Sequence, residues 1–401
     1  MDRLILPDAT WRQRRGLAEL GQALSADEGL ARYVGGAVRD TLLGLPVADV
    51  DIATPLDPQE VMARLKTAHI KAVPTGIAHG TITAVLPDGP IEVTTLRHDV
   101  ETDGRHAKVA FTDDWQADAA RRDFTINALY ADPLTGEVFD YFGGLADLKA
   151  GRVRFIGDPL QRIAEDHLRI LRFFRFHARF GDVPDAAGLD ACTSRANDLM
   201  ALSRERIAAE LTKLLVTRGA VETVALMVAR GILRPVLPEI GAIGVERLRR
   251  IAAAEHAAGL SPNAVRRLAA LLPDDPAIGE AVGARLKLSN ADRKRLASAL
   301  ASELGAPQPL AYHIGTEPAL DRWLLHAADP IEGARAIAAW PVPRLPLSGG
   351  AIVARGVAKG PDVARLRREI EEQWIAEGFP DAARVNAITD QVVGNWLRST
   401  R

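Results

Sequence analysis

The sequence predicts an α+β first part followed by an all-helical remainder. Short runs rich in β-branched residues, separated by turn residues, indicate a mixed sheet with flanking helices over about the first third of the 401 residues. After about residue 158 this alternation stops. Segments rich in Ala, Leu, Arg and Glu follow, with the 3.6-residue period of amphipathic helices.

The strands of the first part are predicted in ARYVGG, DVDIAT, GTITAVL and IEVTTLR, with a short helix in AVRDTLLGL. Turn residues separate the strands at 74–76 and 87–90, and YADPLTGEVFDYFGG has the pattern of a hairpin around Thr135 and Gly136. These signals place two adjacent glycines, Gly35 and Gly36, between a strand and a helix.

The helical remainder begins with RIAEDHLRILRFFRFHARF, predicted as one continuous helix over 162–180. Further amphipathic helices are predicted in SRERIAAELTKLL, VETVALMVARGIL, ADRKRLASALASEL and PDVARLRREIEEQWIAEGF. The proline-rich stretch AAWPVPRLPLSGG, at 338–350, predicts a linker before the last of these helices.

Composition excludes several classes of protein. The single cysteine, Cys192, rules out an internal disulfide and a cysteine-based zinc site. No apolar run reaches the roughly 18 residues of a membrane-spanning helix, and the acidic N-terminus lacks the apolar stretch of a secretory signal. The net charge of −2 gives no global sign of nucleic-acid binding, so a basic surface must be sought by segment. We expect a cytoplasmic protein without membrane contact.

Two carboxylates in DVDIAT point to a metal site. On a strand, Asp49 and Asp51 share one face, while Val50 and Ile52 face the core. Carboxylates this close repel each other, and a divalent cation such as Mg²⁺, which prefers hard oxygen ligands, relieves the repulsion. A lone Asp-x-Asp is more often a solvated strand end, so the prediction depends on what surrounds it.

The surrounding residues favour phosphate chemistry. Gly35 and Gly36 let the backbone approach a ligand closely, and Arg39, one turn into the helix, can reach a triphosphate. Glu92, in the strand IEVTTLR, supplies a third carboxylate if its strand lies beside the aspartate pair. Three carboxylates can hold two metal ions about 3.5–4 Å apart.

Further motifs extend this pattern to a known family. The order of GG, helix, Asp-x-Asp and a later third acid resembles the nucleotidyltransferase superfamily. The segments ARRDFTINALY (120–130), DYFGGLADLKAGRVRFIGDP (140–159) and EDHLRILRFFRF (165–176) resemble motifs of class II tRNA nucleotidyltransferases, the CCA-adding enzymes, and of bacterial poly(A) polymerases. SRERIAAELTKLL and GVAKGPDVARLRREIEEQWI are also similar, so the resemblance covers nearly the whole chain.

The resemblance implies a nucleotidyltransferase catalytic head (1–145), a helical neck with the nucleotide-selecting motif (146–215), a helical body (216–337), and a linker with a helical tail that binds tRNA (338–401). It implies addition of C, C and A to the 3′ end of tRNA from CTP and ATP, without a template, by Mg²⁺-dependent transfer with pyrophosphate release. Asp49 and Asp51 would bind Mg²⁺, with Glu92 as the third catalytic acid.

The resemblance also assigns nucleotide-binding residues. Gly35, Gly36 and Arg39 match positions at the nucleotide, and Arg122 would contact the triphosphate or sugar. Asp123 and Asn127 would hold the site or the ribose. The tRNA acceptor arm and elbow would contact the later helices, where Arg247, Arg249 and Arg250, and then Arg365, Arg367 and Arg368, are candidates.

Base selection is assigned to the motif at 165–176. Asp166 and Arg169, three apart on the predicted helix, would accept from the exocyclic amine and donate to the ring acceptor that cytosine and adenine both carry. Arg172 and Arg175 continue the row. From 149 to 180 the chain has eight Lys or Arg against three Asp or Glu, a local basic surface for an anionic ligand. Glycines at 143, 144 and 151 are hinge candidates for switching from C to A.

Three alternatives stay open. A bacterial poly(A) polymerase shares most motifs, but it usually has an arginine-rich stretch where this chain has TGIAHGTIT, and a long basic C-terminal extension. An enzyme that adds only CC or only A is the second, although the head loop at 97–114 has the length of a full CCA enzyme. A catalytically silent RNA-binding relative is the third, and it predicts a missing metal carboxylate, which is not the case here. The sequence does not predict the oligomeric state.

Overall fold

The computed structural model describes residues 4–102 and 107–400, and the side chains of these residues outside 99–108. The chain divides into two compact units. The first comprises Met1–Arg249, Pro262–Pro273 and Glu280–Arg293, and the second comprises Arg250–Ser261, Asp274–Gly279 and Lys294–Arg401. The sheet and every residue of the predicted catalytic site belong to the first unit.

A seven-stranded mixed sheet forms the centre of the head, as the sequence predicts. Its strand order is β3-β4-β5-β2-β1-β8-β9, and only the β2–β5 pair is parallel. A separate two-stranded ribbon pairs β6 with β7. The strands are β1 (Arg32–Val34), β2 (Asp51–Thr54), β3 (Lys71–Gly76), β4 (Thr81–Leu86), β5 (Gly89–Thr95), β6 (Arg97–Thr102), β7 (Ala107–Phe111), β8 (Leu129–Ala131) and β9 (Val138–Asp140).

Helices flank the sheet and then make up the described remainder of the chain. They are α1 (Leu17–Ala23), α2 (Gly36–Leu42), α3 (Pro58–Thr67), α4 (Trp115–Ala120), α5 (Gly144–Lys149), α6 (Pro159–Glu165), α7 (Arg169–Phe180), α8 (Ala186–Ser194), α9 (Arg204–Leu215), α10 (Ala220–Ala229), α11 (Ala242–Ala258), α12 (Ala264–Leu271), α13 (Pro276–Arg285), α14 (Asn290–Ala299), α15 (Pro307–Ile314), α16 (Thr316–His326), α17 (Pro330–Ala339), α18 (Gly349–Val353), α19 (Pro361–Ala376) and α20 (Ala382–Ser399). None of the described helices is both long and apolar enough to cross a membrane.

Several local predictions are confirmed. The hairpin between β8 and β9 turns at Gly136, which has a φ of +73°. Val50 and Ile52 are buried, so the alternation predicted for DVDIAT holds even though β2 begins only at Asp51. The loop at 97–114 contains β6 and β7, and residues 103–106 lie outside the described residues.

The turn predicted at 74–76 is wrong, because these residues complete β3. Proline is tolerated there for two reasons. The strand lies at the edge of the sheet, where a missing N–H breaks no ladder, and the register shifts between Val73 and Gly76. The proline and glycine at 74–76 therefore mark an irregularity within an edge strand and not a turn between strands.

The continuous helix predicted over 162–180 is also wrong. Two helices, α6 and α7, are separated by residues 166–168. Asp166 adopts an extended conformation, with φ −151° and ψ 106°, and its carboxylate accepts the N–H of Leu168 at 3.1 Å. A side chain that accepts a nearby backbone N–H in this way replaces a hydrogen bond of the helix. The 3.6-residue period of the apolar residues continues across the break, so the period alone does not reveal that the helix ends here.

The predicted linker at 338–350 contains no regular element from 340 to 348, between α17 and α18. It is nevertheless packed, since Leu345 and Leu347 belong to the apolar core of the second unit. Trp374 of α19 lies in the same core, almost fully buried.

Gly144 allows a test of how closely α5 packs against the backbone of the head. A Cβ at this position would lie 2.3 Å from the carbonyl oxygen of Thr125, so Gly144→Ala should lower the free energy of unfolding by about 1–3 kcal/mol. Urea unfolding measures this loss. Gly21→Ala, whose Cβ would meet only Ala26 at 3.7 Å, is the control and should be neutral or stabilising. A Gly144→Ala protein as stable as wild type would contradict this packing. Alanine at 144 therefore tests packing before it tests a hinge.

Candidate active site

One cleft of about 650 Å³ gathers twelve of the thirteen residues predicted for the site. Its volume suits a small-molecule ligand. Its lining consists of Gly35, Gly36, Arg39, Asp40, Pro46, Val47, Ala48, Asp49, Asp51, Arg121, Arg122, Asp123, Asn127, Asp166, Arg169, Arg172, Arg175, Phe176 and Arg179. Glu92 is the predicted residue that is absent from this lining. Arginines outnumber aspartates, so the cleft favours an anionic ligand that also needs acidic partners.

The glycine turn leaves the backbone open to the cleft. Gly35 has a φ of +69°, in the left-handed region that favours glycine. A Cβ there would lie 3.6 Å from the carbonyl oxygen of Asn127 and 3.7 Å from the guanidinium of Arg122. Gly36 begins α2 directly afterwards. A ligand can therefore approach the main chain here between Asn127 and Arg122.

The carboxylates cluster at the edge of β2. Asp49 is exposed just before the strand, and Asp51, its first residue, is half-buried. Glu92 on β5 lies in parallel register directly beside Asp51. Burial, with the negative charges of Glu92 and Asp49, raises the pKa of Asp51 to about 6, although Arg122 opposes the shift. The protein thus holds like charges together, and Arg122 offsets their repulsion only in part.

This donor set fits a divalent cation. Carboxylate oxygens are hard ligands, and a cation between Asp49 and Asp51 would relieve their repulsion. In the described part of the chain, however, no three His, Cys, Asp or Glu side chains are grouped closely enough to hold a metal ion. The fit therefore concerns Asp49 and Asp51, with the exposed Glu92 beside them.

Arg122 is fixed at the cleft wall by a buried acid that the sequence did not reveal. Its guanidinium donates to Asp118 at 3.0 Å and to the hydroxyl of Tyr130 at 3.1 Å. Asp118 is 1% exposed, and it also accepts from Arg121 at 2.8 Å. Burial alone would lower the pKa of Arg122, but Tyr130 and Asp118 raise it above its ordinary value. Arg122 is therefore a permanent cation on the wall of the cleft that Asp51 also lines.

A buried polar chain connects the glycine turn to the neck. Asn127 accepts from Arg39 and donates to Asp123 at 3.0 Å, and Asp123 accepts from Arg172 at 2.6 and 2.7 Å. Burial raises the pKa of Asp123, yet Arg172 and Asn127 lower it overall. Asp123 and Asn127 thus hold the wall of the cleft rigidly, as residues that position others.

Arg39 is less free than the sequence indicated. It is 4% exposed, it pairs with Asp40 at 2.7 Å, and it lies over the ring of Phe180 at 4.3 Å. Asp40 in turn accepts from Arg179 of α7 at 3.0 Å. The guanidinium of Arg39 is therefore already engaged, and Arg39 joins α2 to α7 at the edge of the cleft.

Asp166 and Arg169 reach the cleft from the break between α6 and α7, and each has its own partner. Both carboxylate oxygens of Asp166 accept from Arg206 of α9, at 3.0 and 3.1 Å. Arg169 pairs with Glu165 at 2.5 Å and donates to two backbone carbonyls, those of Arg162 and Arg121. The two base-reading candidates are thus oriented separately.

Glu210 orients the other two arginines of the row. Glu210 is 5% exposed, and its carboxylate accepts from Arg175 at 2.5 Å and lies 3.9 Å from Arg172. Sequence reasoning missed this residue together with Asp118 and Arg206. The sequence does contain a signal for Glu210, because it lies on the same helix face as the apolar residues Ile207, Leu211 and Leu214. A carboxylate on a face that packs against the core needs a cation or a hydrogen-bond donor as its partner.

Removing the charge of Glu210 should affect both stability and nucleotide binding. Glu210→Gln leaves the partly buried Arg172 and Arg175 less well paired, so we expect a loss of about 1–3 kcal/mol in unfolding free energy and a higher KM for the CTP and ATP that the resemblance implies as substrates. Chemical unfolding and initial rates measure these effects. Glu205→Gln, on the same helix but in an exposed pair with Lys287, should cost at most about 1 kcal/mol. Equal effects of the two substitutions would contradict the positioning role.

Comparisons with known proteins agree with this architecture. The sequence model of the poly A polymerase head domain matches residues 31–154, and the model described as the probable RNA and SrmB-binding site of polymerase A matches residues 187–243. The structure of the Bacillus stearothermophilus CCA-adding enzyme, solved in complex with CTP, is similar with a TM-score of 0.69 and 27% identity. That similarity covers 95% of this chain and 97% of the solved one.

Curated relatives identify the branch of the family. The mitochondrial CCA tRNA nucleotidyltransferase 1 of Mus musculus is 35% identical over 392 residues, which covers 91% of this chain and 87% of the relative. The CCA-adding enzyme of Anoxybacillus flavithermus is 39% identical over 227 residues, about half of each chain (55% and 56%). The chain therefore belongs to the CCA tRNA nucleotidyltransferase family, the CCA-adding enzymes, whose catalytic head is of the poly A polymerase type.

Proposed function

We propose that this chain adds C, C and A in turn to the 3′ end of tRNA, using CTP and ATP and releasing pyrophosphate. The observation that carries the proposal is the single cleft that combines a carboxylate pair, a glycine turn and the residues Asp166 and Arg169. The relatives named as CCA tRNA nucleotidyltransferase and CCA-adding enzyme support it.

Asp49 and Asp51 are the residues proposed to hold the divalent cation, with Mg²⁺ as the ion and Glu92 as the third acid of the catalytic set. When bound, the cation would supply charge that activates the attacking hydroxyl and stabilises the leaving pyrophosphate. The protein contributes Asp51 at the start of β2 and the exposed Asp49 just before it, both at the wall of the cleft. Arg122, in the same cleft as Asp51, would bind the negative triphosphate.

The glycine turn would let the triphosphate pass close to the main chain at Gly35 and Gly36. Arg122 is held in one orientation by Asp118, so little side-chain entropy is lost when it binds phosphate. Asp123 and Asn127 would frame the sugar, since their mutual hydrogen bond keeps both side chains in place.

Asp166 and Arg169 would select the base. A carboxylate has about four acceptor sites, so Asp166 can accept from an exocyclic amine while it holds Arg206. Among the described residues, three of the five N–H groups of Arg169 are in use, which leaves two for ring acceptors. Cytosine and adenine match this pair. Guanine and uracil would leave polar groups unpaired, at about 1–3 kcal/mol each.

Several finer assignments belong to the proposal. The four segments, head (1–145), neck (146–215), body (216–337) and tail (338–401), are proposed as functional divisions. The basic groups at 247–250 and 365–368 are proposed tRNA contacts, although Arg249 pairs with Glu222 and Glu246 and Arg365 with Asp362. Action in the cytoplasm is likewise proposed, and the mouse relative is named as mitochondrial.

A stepwise extension assay tests the function against poly(A) synthesis. Purified protein and Mg²⁺ are incubated with tRNA ending before the first C, after CC, or after CCA, with CTP and ATP supplied separately. We expect CTP to extend only the first, ATP to extend only the second by one nucleotide, and neither to extend the third. Long A tails, addition of CC without A, or addition of A without CC would overturn the proposal.

A further inference from the structure

A buried arginine of α6, Arg162, has no part in the site described above. It is 9% exposed and does not line the cleft, although Asp166, just after the same helix, does. An arginine keeps its charge even when it is buried, so the protein itself must supply acceptors for its N–H groups. The identity of these acceptors shows what Arg162 positions.

One nitrogen of Arg162 binds the backbone that carries Arg122. Its Nη2 donates to the carbonyl oxygen of Ala120 at 2.6 Å and to that of Arg122 at 3.0 Å. Ala120 is the last residue of α4, where carbonyls have no partner within the helix. Arg169 donates to the carbonyl between them, that of Arg121, at 3.2 Å. Two arginines from α6 and α7 therefore hold three successive carbonyls at the end of α4.

The other terminal nitrogen connects Arg162 to the base-reading candidate. Its Nη1 donates to Glu165 at 2.9 Å, and the same carboxylate pairs with Arg169 at 2.5 Å. The main-chain carbonyl of Arg162 also accepts from Arg169, at 2.9 Å. Glu165 has 13% of its side chain exposed, so salt and solvent screen this cluster only weakly. The orientation of Arg169 therefore depends on Arg162 through a shared carboxylate and through its main chain.

We propose that Arg162 is a positioning residue for base selection, which fixes Arg169 against the backbone that carries Arg122. The base and the triphosphate of one nucleotide would then be bound by groups held in a single arrangement. This role rests on the proposed function, because it requires Arg169 to donate to the ring acceptor of cytosine or adenine. Uracil carries an N–H at the matching ring position, so a firmly held Arg169 favours CTP without helping UTP.

The test measures kcat and KM for CTP and for UTP separately, with the full chain, Mg²⁺ and tRNA that ends before the first C. Arg162→Gln removes the charge and the forked donors. We expect kcat/KM for CTP to fall about tenfold, mainly through a higher KM, and that for UTP to change by less than about twofold. Arg162→Lys keeps a cation for Glu165 but lacks the planar fork, so its ratio of CTP to UTP should lie between those of wild type and Arg162→Gln.

The matched control is Arg322→Gln in the second unit. Arg322 is also partly buried, and it donates to the carbonyls of Ser298 at 2.9 Å and Glu303 at 3.2 Å, at and after the end of α14. Its loss should lower thermal stability, as the loss of Arg162 does, because helix-end carbonyls lose their donor in both proteins. The ratio of kcat/KM for CTP to that for UTP should not change in the control.

An unchanged ratio in Arg162→Gln would overturn the proposal. An equal fall of kcat/KM for both nucleotides would also do so, since a purely structural role reduces the active protein without altering base choice. So would an equal change of the ratio in Arg322→Gln. If Arg162→Gln does not fold, a wild-type ratio in Arg162→Lys has the same meaning.

The wild-type protein separates this failure from that of the proposed function. Wild-type protein that adds C and U equally well rejects the proposed base selection. Wild-type protein that prefers CTP, with the same preference in the Arg162 variants, rejects the role of Arg162 alone.

Discussion

Asp51→Asn should reduce CTP incorporation by at least about 10³-fold without reducing stability. The loss of activity follows from the loss of a charged ligand, since metal charge stabilisation contributes several kcal/mol to the transition state. Stability should hold or increase, because burial and the neighbouring Glu92 and Asp49 disfavour the charged form of Asp51. Single-turnover incorporation into tRNA and thermal unfolding measure the two effects.

The matched control is Asp113→Asn, which removes the same charge from an exposed position of the head. It should retain wild-type activity and stability. If Asp51→Asn kept normal incorporation, Asp51 would have no part in the chemistry. If it lost activity only because it unfolded, the repulsion assigned to the carboxylate cluster would be wrong.

Asp118→Asn should reduce both the stability and the activity of the protein. The carboxylate is almost fully buried and accepts from Arg121, Arg122 and Tyr130, so its loss leaves the two partly buried arginines without their charge partner, at about 1–3 kcal/mol. Arg122 would also lose its fixed orientation, so the KM for CTP and ATP should rise. Urea unfolding and steady-state kinetics give the two values. Normal KM values in a folded Asp118→Asn protein would contradict the positioning role.

The pH dependence of this loss provides an independent check. Burial raises the pKa of Asp118, but Arg122, Arg121 and Tyr130 lower it overall, from 3.8 to about 2. A lowered pKa in the folded state means that the stabilisation is fully present above about pH 4 and lost as the pH falls through about 2. The difference in unfolding free energy between wild type and Asp118→Asn should therefore shrink over that interval. A difference that stays constant would contradict the charge pairing.

The sequence could predict the head well because its signals are local. The alternation of polar and apolar residues predicts Asp49 and Asp51 on one face, and the glycine pair predicts the turn. The positive φ of Gly35 confirms the turn. The register that places Glu92 beside Asp51 joins strands far apart in sequence. The position of Glu92 beside the aspartates is predicted only from the chemistry of a metal site, which three carboxylates could form together.

What the sequence could not predict is which charged side chains satisfy each other. Helical spacing placed Asp166 and Arg169 on neighbouring rows, whereas Asp166 interrupts the helix and binds Arg206 from forty residues later. The pairing of Asp123 with Arg172, across 49 residues, is equally invisible to periodicity. Such pairs depend on tertiary packing. The local sequence around an arginine that orients a carboxylate is the same as that around an arginine exposed to solvent.

The measurement that tests the central claim most directly is sequencing of the product 3′ ends. tRNA that lacks the terminal triplet is incubated with wild-type protein, Mg²⁺ and all four nucleoside triphosphates together, in parallel with the Asp51→Asn protein. Addition by the wild type should end at C, C and A, with little G or U at any position, and the variant should add nothing measurable. Tails of A beyond the third nucleotide, frequent G or U, or the same product from the variant would contradict it.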